Sequence, residues 1–203
     1  MNLYFTRHGE TEWNVKKKIQ GTTDIPLNEN GIYQAKRLAQ TLLEKRDCES
    51  FHPIRVYTSP QLRAAETAQI SADALGIECI PLDGLREMDL GEWEGSNWDM
   101  IRETYGEQYL HWNSHRRYDH TPGGESYDEV LGRTLAALDE ILGRETKDVL
   151  VVSHSAVLMA LRCYLAGLPF EEMVRRFKTK NTELVKIEEE EIRQAIKRYA
   201  AGE

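Results

Sequence analysis

Near the start of the chain stands the stretch Leu3-Tyr4-Phe5-Thr6-Arg7-His8-Gly9, a short apolar run that ends at an arginine, a histidine and a glycine. Far along the chain a second run, Val149-Leu150-Val151-Val152, leads into Ser153 and His154. Because this second run is continuously apolar, it is typical of a strand buried on both faces of a parallel sheet. Open α/β sheets bind ligands beyond the carboxyl ends of their strands, so the pattern predicts a site where these strands end.

Length, composition and charge indicate a globular domain and argue against a nucleic-acid-binding protein. The chain has 203 residues, enough for one domain with a sizeable core, and is 40% hydrophobic and 30% charged. Its 26 Lys and Arg against 34 Asp and Glu give a net charge of -8. This balance argues against a nucleic-acid partner, because a nucleic-acid surface needs a basic stripe. An anionic substrate must instead be attracted by a local cluster of arginines.

The cysteines and the apolar runs indicate a compartment. Cys48, Cys79 and Cys163 are odd in number and lack paired metal-ligand spacing, which fits a reducing compartment without disulfides or structural zinc. No apolar run approaches the roughly 20 residues of a membrane helix, and the N-terminus lacks the pattern of a secretory signal. We therefore expect a cytoplasmic protein without a membrane partner. No sequence feature specifies its oligomeric state.

Strand-like runs alternate with helical patterns along the whole chain. The strand-like runs are Asn2–Thr6, Ile54–Thr58, Ile77–Pro81, Asp148–Ser153 and Glu183–Ile187. This alternation predicts an α/β fold, a three-layer sandwich with a mostly parallel central sheet, in a single domain over residues 1–203.

Capping residues predict where two of the helices begin and end. Ser59 and Pro60 are expected to open one helix, as N-cap and first-turn residue, and Gly76 to end it. Ser126 and Glu129 form a capping-box pattern before another helix. The segment between about residues 91 and 126 fits the alternation less well, because it mixes aromatic residues with charges and glycines. We interpret it as a short helical insertion that folds over the sheet edge as a lid.

Several side chains near the predicted strand ends suit an anionic ligand. Arg7 and His8 follow the first strand, and Arg63 falls in a first helical turn, where helix N-termini attract anions. An isolated Arg-His pair is more often satisfied by loop carbonyls, and Arg63 could instead pair with Glu66 on the helix surface. Further polar groups follow the first strand at Asn14, Gln20 and Gly21.

Other residue types leave alternatives open. The loop after the third strand contains several candidate general acids, and spacing alone does not choose among Glu87, Asp89, Glu92 and Glu94. A serine-hydrolase interpretation of Ser153-His154 is disfavoured, because Ser153 lacks the glycines of a nucleophile elbow. Metal binding by His8 and His154 lacks support, since no His-x-x-x-His spacing accompanies them, and we predict neither a metal nor a cofactor.

Taken together, five motifs resemble the histidine phosphatase superfamily, and more narrowly its phosphoglycerate-mutase-like branch. The resemblance spans residues 2 to about 187. The motifs are Arg7-His8-Gly9-Glu10-Thr11, Ser59-Pro60-x-x-Arg63-Ala64-x-x-Thr67-Ala68, Glu87 before Leu90-Gly91-x-Trp93-Glu94-Gly95, Pro122-Gly123-Gly124-Glu125-Ser126 and Val152-Ser153-His154. Their order along the chain makes the match specific. One departure is Ser155-Ala156, where relatives often have a glycine.

The resemblance implies a role for each strand-end residue. It implies that His8 is the nucleophile that becomes phosphohistidine and that Glu87 is the proton donor to the leaving oxygen. It implies further that the phosphoryl oxygens are held by Arg7, Arg63 and His154, with Asn14 as an additional contact. Such a clamp supplies the positive charge that phosphoryl transfer needs, so no metal ion is required.

Three functions fit this resemblance. A metal-independent phosphomonoesterase of a small phosphorylated metabolite is favoured, because the compact insertion and the Pro-Gly-Gly-Glu-Ser motif are similar to those of the phosphatases. The alternative is a cofactor-dependent phosphoglycerate mutase, because Arg116 and Arg117 partly resemble the paired arginines of such mutases. We expect those two residues to bind the rest of the substrate without performing the chemistry. A non-enzymatic phosphate-binding module is disfavoured, since the nucleophile and the acid are both present.

Overall fold

The computed structural model describes residues 1–48 and 51–202, which form a five-stranded sheet with helices on both faces. The strands are β1 (Asn2–Arg7), β2 (Arg55–Thr58), β3 (Glu78–Pro81), β4 (Val149–Ser153) and β5 (Leu184–Glu188). The helices are α1 (Glu12–Val15), α2 (Glu29–Cys48), α3 (Leu62–Leu75), α4 (Trp98–Ser114), α5 (Tyr127–Arg144), α6 (Ser155–Leu165), α7 (Met173–Phe177) and α8 (Glu189–Ala200). The five predicted strands are confirmed to within one residue at each end.

The order of the strands brings the two conspicuous histidines together. The sheet runs β3-β2-β4-β1-β5, with β1 to β4 parallel and β5 antiparallel to β1. Parallel pairing sets Arg7 opposite Ser153, so that β1 and β4 end side by side. His8 and His154 therefore leave the sheet at the same edge.

Alternate side chains of β4 fill two separate hydrophobic cores. Val149 and Val151 are fully buried in a cluster that includes residues of α5, α6 and α8. Leu150 and Val152 are buried in a second cluster with residues of α2 and α3. Because β4 is covered on both faces, its side chains are apolar without alternation. The predicted three-layer α/β fold is confirmed.

Two of the predicted caps are confirmed. Gly76 ends α3 with φ 67°, a left-handed conformation that glycine adopts without strain. Ser126 and Glu129 form a reciprocal capping box at the start of α5.

Among the described residues, no helix combines the length and the apolar character needed to cross a membrane. Cys79 and Cys163 are free thiols, and the side chain of Cys48 lies outside the part that the structure describes.

The predicted start of α3 is wrong. Ser59 does not cap the helix; its Oγ accepts a hydrogen bond from the backbone N–H of Gln61 within a turn, at 3.2 Å. The helix begins at Leu62, whose N–H donates to Asp24 Oδ1 at 2.8 Å. A carboxylate that is distant in sequence thus supplies the cap, and local sequence patterns do not reveal such a tertiary contact.

The segment between residues 91 and 126 forms a helix that packs on the main core. Helix α4 is interrupted by non-helical backbone at Gly106. Trp93 and Trp112 are almost fully buried, and their rings meet edge to face at 5.1 Å between centroids. The aromatic residues of this segment therefore anchor it to the larger hydrophobic cluster. Its action as a lid stays a prediction.

Candidate active site

The two strand-end histidines lie against each other in a buried position. The backbone N–H of His8 donates to the carbonyl of Ser153 at 3.0 Å, across the ends of β1 and β4. The rings of His8 and His154 have centroids 5.2 Å apart, and both residues are buried. Parallel strand pairing thus assembles, from the two ends of the chain, a pair of imidazoles at one sheet edge.

The ring of His8 has one defined reactive atom. Its Nδ1 lies 2.7 Å from the carbonyl oxygen of Gly9. Because a carbonyl only accepts hydrogen bonds, Nδ1 carries the proton and Nε2 keeps its lone pair. The Asn181 Nδ2 amide donates to the carbonyl of His8 at 2.8 Å and fixes the backbone. Burial, followed by the charges of Arg7 and Arg63, holds the pKa of His8 well below its ordinary value of 6.5.

Two arginines, the half-buried Arg7 and the fully buried Arg63, keep part of their hydrogen-bonding capacity unused. Arg7 Nη1 donates to the carbonyl of Thr179 at 3.2 Å. Arg63 donates from Nη2 to Gly21 O at 2.8 Å and from Nη1 to Thr23 O at 2.9 Å. Among the described residues, the buried Nε atoms of both arginines have no partner. Burial lowers the pKa of each guanidinium, and the negative charge of Glu87 opposes that shift.

His154 adds two more unused nitrogen atoms to the same place. Both of its ring nitrogens are buried without a hydrogen-bond partner among the described residues. Burial, then the charges of Arg63, His8 and Arg7, keep the pKa of His154 well below 6.5. Buried polar groups in native proteins are almost always paired, so such a concentration of unpaired donors indicates a ligand. Donors of this kind suit a phosphate or another oxyanion.

Geometry distinguishes one carboxylate from the other three candidates. Glu87 reaches the second histidine's helix, where its Oε1 accepts from the N–H of Ala156 at 3.2 Å. Asp89 Oδ1 instead accepts from the N–H of Gly91, and Glu92 is exposed. The remaining candidate, Glu94, uses its two oxygens on backbone and hydroxyl groups of Thr22 and Thr23 and on the N–H of Leu90. Glu87 is therefore the acid that lies beside the cationic cluster.

Glu94 holds the loop in which Gly21 and Thr23 contact Arg63. The carboxylate holds the loop whose two carbonyls orient the guanidinium of Arg63. Gly21 has φ 51°, and a Cβ there would lie 1.9 Å from Glu94 Oε1. In the free chain Gly21 thus positions Arg63 through its carbonyl oxygen. Its predicted contact with substrate stays a prediction.

Another arginine, Arg133, holds the loop that carries Glu87. Arg133 on α5 donates to the carbonyls of Gly84, Arg86 and Glu87, at 3.1, 2.6 and 3.0 Å. The same guanidinium forms a two-pronged pair with Glu125, both N–O distances being 2.9 Å. Glu125 belongs to the Pro-Gly-Gly-Glu-Ser motif, which thereby connects to the loop that carries the candidate acid.

Asn14 and Gln20, two residues predicted to bind substrate, form hydrogen bonds with nearby Thr11. Asn14 Oδ1 accepts from the N–H of Thr11 in a capping box at the start of α1. Gln20 Oε1 accepts from the hydroxyl of Thr11 at 3.0 Å. Gly9 admits another part of the backbone, since a Cβ there would lie 2.5 Å from the carbonyl oxygen of Gly31. Substrate contacts of Asn14 and Gln20 stay predictions.

The paired arginines of the insertion have different surroundings. Arg116 lies over the ring of Trp112 at 5.0 Å, and its buried Nε has no partner among the described residues. Arg117 donates from Nε to Asp128 at 2.8 Å and lies over three aromatic rings. Burial raises the pKa of the Tyr127 hydroxyl, with the charges of Arg116 and Glu87 acting in opposite directions on it. Arg116 and Glu87 therefore both lie close enough to Tyr127 for their charges to act on the pKa of its hydroxyl.

Sequence reasoning missed the residues that support the site. Thr179 and Asn181 precede β5 and contact Arg7 and His8, and no motif marks them because antiparallel pairing alone brings them there. Thr23 acts through its backbone carbonyl, which carries no side-chain signal. Glu125 did carry a signal, since it stands in one of the five motifs.

Comparisons with known proteins identify the family of this chain. The family model of the histidine phosphatase superfamily (branch 1) matches residues 3–202. "Putative phosphoserine phosphatase 2" of Hydrogenobacter thermophilus is 33% identical over 172 residues, 84% of this chain and 81% of the relative. "Probable phosphoglycerate mutase GpmB" of Serratia proteamaculans is 34% identical over 196 residues, 94% of this chain and 86% of the relative.

A solved structure is similar over the same extent. "Bacillus stearothermophilus YhfR" superposes with a TM-score of 0.81 at 35% identity, covering 92% of this chain and 90% of that chain. The fold, the strand-end residues and the family match lead to one assignment. The chain belongs to the histidine phosphatase superfamily, branch 1.

Proposed function

We propose that this chain hydrolyses a small phosphomonoester through a phosphohistidine formed on His8. The observation that carries the proposal is a set of buried nitrogen atoms of Arg7, Arg63 and His154 that lack a hydrogen-bond partner within the described part of the chain, near a histidine with one free lone pair. Family membership supports it, and so do relatives named as phosphatases. The role given to each residue is part of the proposal.

In the first step, Nε2 of His8 attacks phosphorus and forms the P–N bond while the ester P–O bond breaks. The leaving oxygen takes a proton from the carboxyl group of Glu87. Arg7, Arg63 and His154 hold the three equatorial oxygens, where charge concentrates in the transition state. Because Nδ1 of His8 is held by Gly9, the nucleophile needs no reorientation before attack.

In the second step, water attacks phosphorus and the P–N bond breaks. The Glu87 carboxylate, which lost its proton in the first step, accepts a proton from the attacking water. Inorganic phosphate leaves and the protonation states of both residues are restored. A positioned acid and base of this kind typically contributes about 10²–10⁴-fold to the rate.

We further propose that the substrate carries a carboxylate that meets Arg116. The buried Nε of Arg116, which has no partner among the described residues, supports a second anion-binding position. Arg116 and Glu87 also both act on the pKa of the Tyr127 hydroxyl, so neither is remote from that ring. Phosphoserine and phosphoglycerate, which appear in the names of relatives, both carry a carboxylate close to the phosphate. Arg117, already paired with Asp128, has a structural role in this proposal.

Phosphoglycerate mutase is the second candidate, because relatives bearing that name match 94% of this chain. A mutase of this kind must return the phosphoryl group to its substrate and exclude water. In this chain the pair of arginines is divided, with Arg117 stacked on aromatic rings and bonded to Asp128. That division favours the phosphatase over the mutase.

The deciding experiment compares esters in two assays. Phosphoserine, 3-phosphoglycerate and p-nitrophenyl phosphate are tested for phosphate release, and 3-phosphoglycerate is tested for conversion to its 2-isomer with a bisphosphate primer. We expect phosphate release on all three and negligible isomerisation. Isomerisation much faster than phosphate release would show a mutase, and absence of both would contradict the proposal.

The carboxylate contact has its own matched pair of variants. Arg116→Ala is expected to raise KM for phosphoserine by about 10–100-fold, the loss of one hydrogen bond to a charged group, with kcat nearly unchanged. It should leave p-nitrophenyl phosphate unaffected, because that ester has no carboxylate. Arg117→Ala should leave both KM values unchanged and lower only the stability. Equal effects of Arg116→Ala on both esters would reject the carboxylate contact.

A further inference from the structure

A cluster of metal-ligating side chains lies outside the strand-end site. It consists of His111 and His115, four residues apart at the end of α4, and Asp119 in the turn that follows. One candidate ligand atom from each residue lies within 4.8 Å of the others. The His-x-x-x-His spacing that does not accompany His8 and His154 is present here instead.

We propose that His111, His115 and Asp119 bind a divalent transition-metal ion, and that zinc is the ion this donor set fits best. Two imidazole nitrogens and one carboxylate oxygen are borderline ligands that suit zinc in preference to magnesium or calcium. Three protein ligands leave a fourth position for water. The ion is not needed by the proposed phosphatase chemistry, which uses other residues.

The orientation of His115 is the one that a metal ligand adopts. Its Nδ1 lies 3.0 Å from the carbonyl of His111 and 3.2 Å from the hydroxyl of Ser114. A proton on Nδ1 is donated to the carbonyl, so the lone pair stays on Nε2. Metal-bound histidines characteristically donate their other ring N–H to a backbone carbonyl in this way.

The remaining two ligands already face each other. His111 Nδ1 and Asp119 Oδ2 are 2.6 Å apart, and the rings of His111 and His115 stack with centroids 4.5 Å apart. Ligands that are 2.0–2.2 Å from zinc at tetrahedral angles lie about 3.3–3.6 Å from one another. A bound ion would replace the hydrogen bond between His111 and Asp119. Both histidines are exposed, the His111 side chain by 70%, so solvent leaves room for their χ angles to rotate toward that spacing.

Among the residues that the structure describes, the charged neighbours His120 and Arg116 have partners outside the cluster. His120 pairs with Glu129 at 2.8 Å, and Arg116 contacts Asn113 and Trp112. The Asp119 carboxylate is therefore the anionic ligand of the site. Metal binding would tie the end of α4 to the turn that precedes α5.

Zinc titration of chelator-treated, dialysed protein tests the proposal. Calorimetry should show one equivalent bound, and cobalt in place of zinc should give the visible absorption of a low-symmetry nitrogen and oxygen site. Removing a residue that only hydrogen-bonds to a metal ligand typically weakens metal binding by about 10–100-fold. His111→Ala/His115→Ala removes two of the ligands themselves, so it should weaken zinc binding by more than that. His52→Ala/His120→Ala, which also removes two exposed histidines, should bind as the wild type does.

Two further variants separate the possible outcomes. His8→Ala should still bind one equivalent of zinc. If His8→Ala no longer bound zinc, the ion would lie at the strand-end site and the proposal would be overturned. Asp119→Asn keeps a hydrogen-bonding group but loses the anionic ligand, so it tests the site if the double variant fails to fold. Unchanged binding in the variants of the cluster, or no saturable binding by the wild type, would also overturn it. Phosphatase activity of the metal-free His111→Ala/His115→Ala protein should equal that of the wild type.

Discussion

At the scale of single residues, chemistry depends on contacts that a sequence does not display. The strand-end position of His8 was predictable, because an apolar run leads directly into it. Its tautomer was not, since that depends on the 2.7 Å contact of Nδ1 with the carbonyl of Gly9. Likewise four carboxylates in one loop were equivalent by spacing. Only Glu87 reaches the N–H of Ala156 at the second histidine's helix.

Replacement of Glu87 tests its role as proton donor. Glu87→Gln is expected to lower kcat on phosphoserine by about 10²–10⁴-fold, because an alkoxide leaves poorly without a proton. The same variant should slow p-nitrophenyl phosphate much less in its first step, because its phenolate leaves without help. Steady-state and pre-steady-state rates on both esters measure the difference.

Glu92→Gln is the matched control for that variant, since Glu92 is an exposed carboxylate of the same loop. It should keep wild-type rates on both esters. A uniform loss in the first-step rate of Glu87→Gln on the two esters, or a loss in Glu92→Gln that depends on the leaving group, would assign the acid elsewhere.

At the scale of elements, the site depends on loops that are held by groups distant in sequence. The capping box of Ser126 and the left-handed Gly76 are local signals and were predictable. The start of α3 was not, because its cap is the carboxylate of Asp24. The clamp of Arg133 and Glu125 on the loop of Glu87 is of the same kind, joining a motif to a helix through tertiary contacts.

Replacement of Arg133 tests whether this clamp positions the acid. Arg133→Lys loses the two-pronged contact with Glu125 and most of the contacts with loop carbonyls. We expect kcat on phosphoserine to fall by about 10²-fold, the cost of displacing a reacting group by about 1 Å. Activity on p-nitrophenyl phosphate should fall much less, as expected for a defect in proton donation.

The control is Arg144→Lys, since Arg144 also lies on α5 and forms an exposed ion pair with Glu140 at 2.6 Å. That variant should be active on both esters. If Arg133→Lys lowered the first-step rates on both esters equally, or lowered only the free energy of unfolding, Arg133 would support the fold without positioning Glu87.

At the scale of the whole molecule, two neutral histidines are buried among cations. The pKa values of His8 and His154 lie well below 6.5, mainly because of burial. In the unfolded chain both titrate near that ordinary value, so below it the unfolded state binds more protons than the folded state. The free energy of unfolding should therefore fall as pH decreases through 6.5, by up to about 1.4 kcal/mol per pH unit for each histidine.

Urea unfolding between about pH 7.5 and about pH 5.5 measures this slope. His8→Gln/His154→Gln should flatten it, whereas His52→Gln, which removes an exposed histidine, should leave it unchanged. Inorganic phosphate should protect the wild type at the lower pH, because a bound anion favours protonated imidazoles. An unchanged slope in the double variant would mean that these rings do not titrate as their burial implies.

The general architecture was predictable from the sequence because each strand and most helices carry their own apolar pattern. The five strands, the parallel sheet and the family all follow from such local signals and from five motifs. The supporting contacts of Thr179 and Asn181 were not predictable, because they arise only when β5 pairs with β1. Arg116 and Arg117 looked equivalent in sequence and differ only through their surroundings in the fold.

The central claim is that His8 carries the phosphoryl group during turnover. Rapid quenching of the reaction with phosphoserine, followed by mass spectrometry of the peptide that contains residue 8, tests it directly. We expect a phosphoryl group on His8 that is labile in acid and stable in base, present during turnover and absent from His8→Ala. Phosphorylation of a different residue, or near-wild-type turnover by His8→Ala, would contradict it.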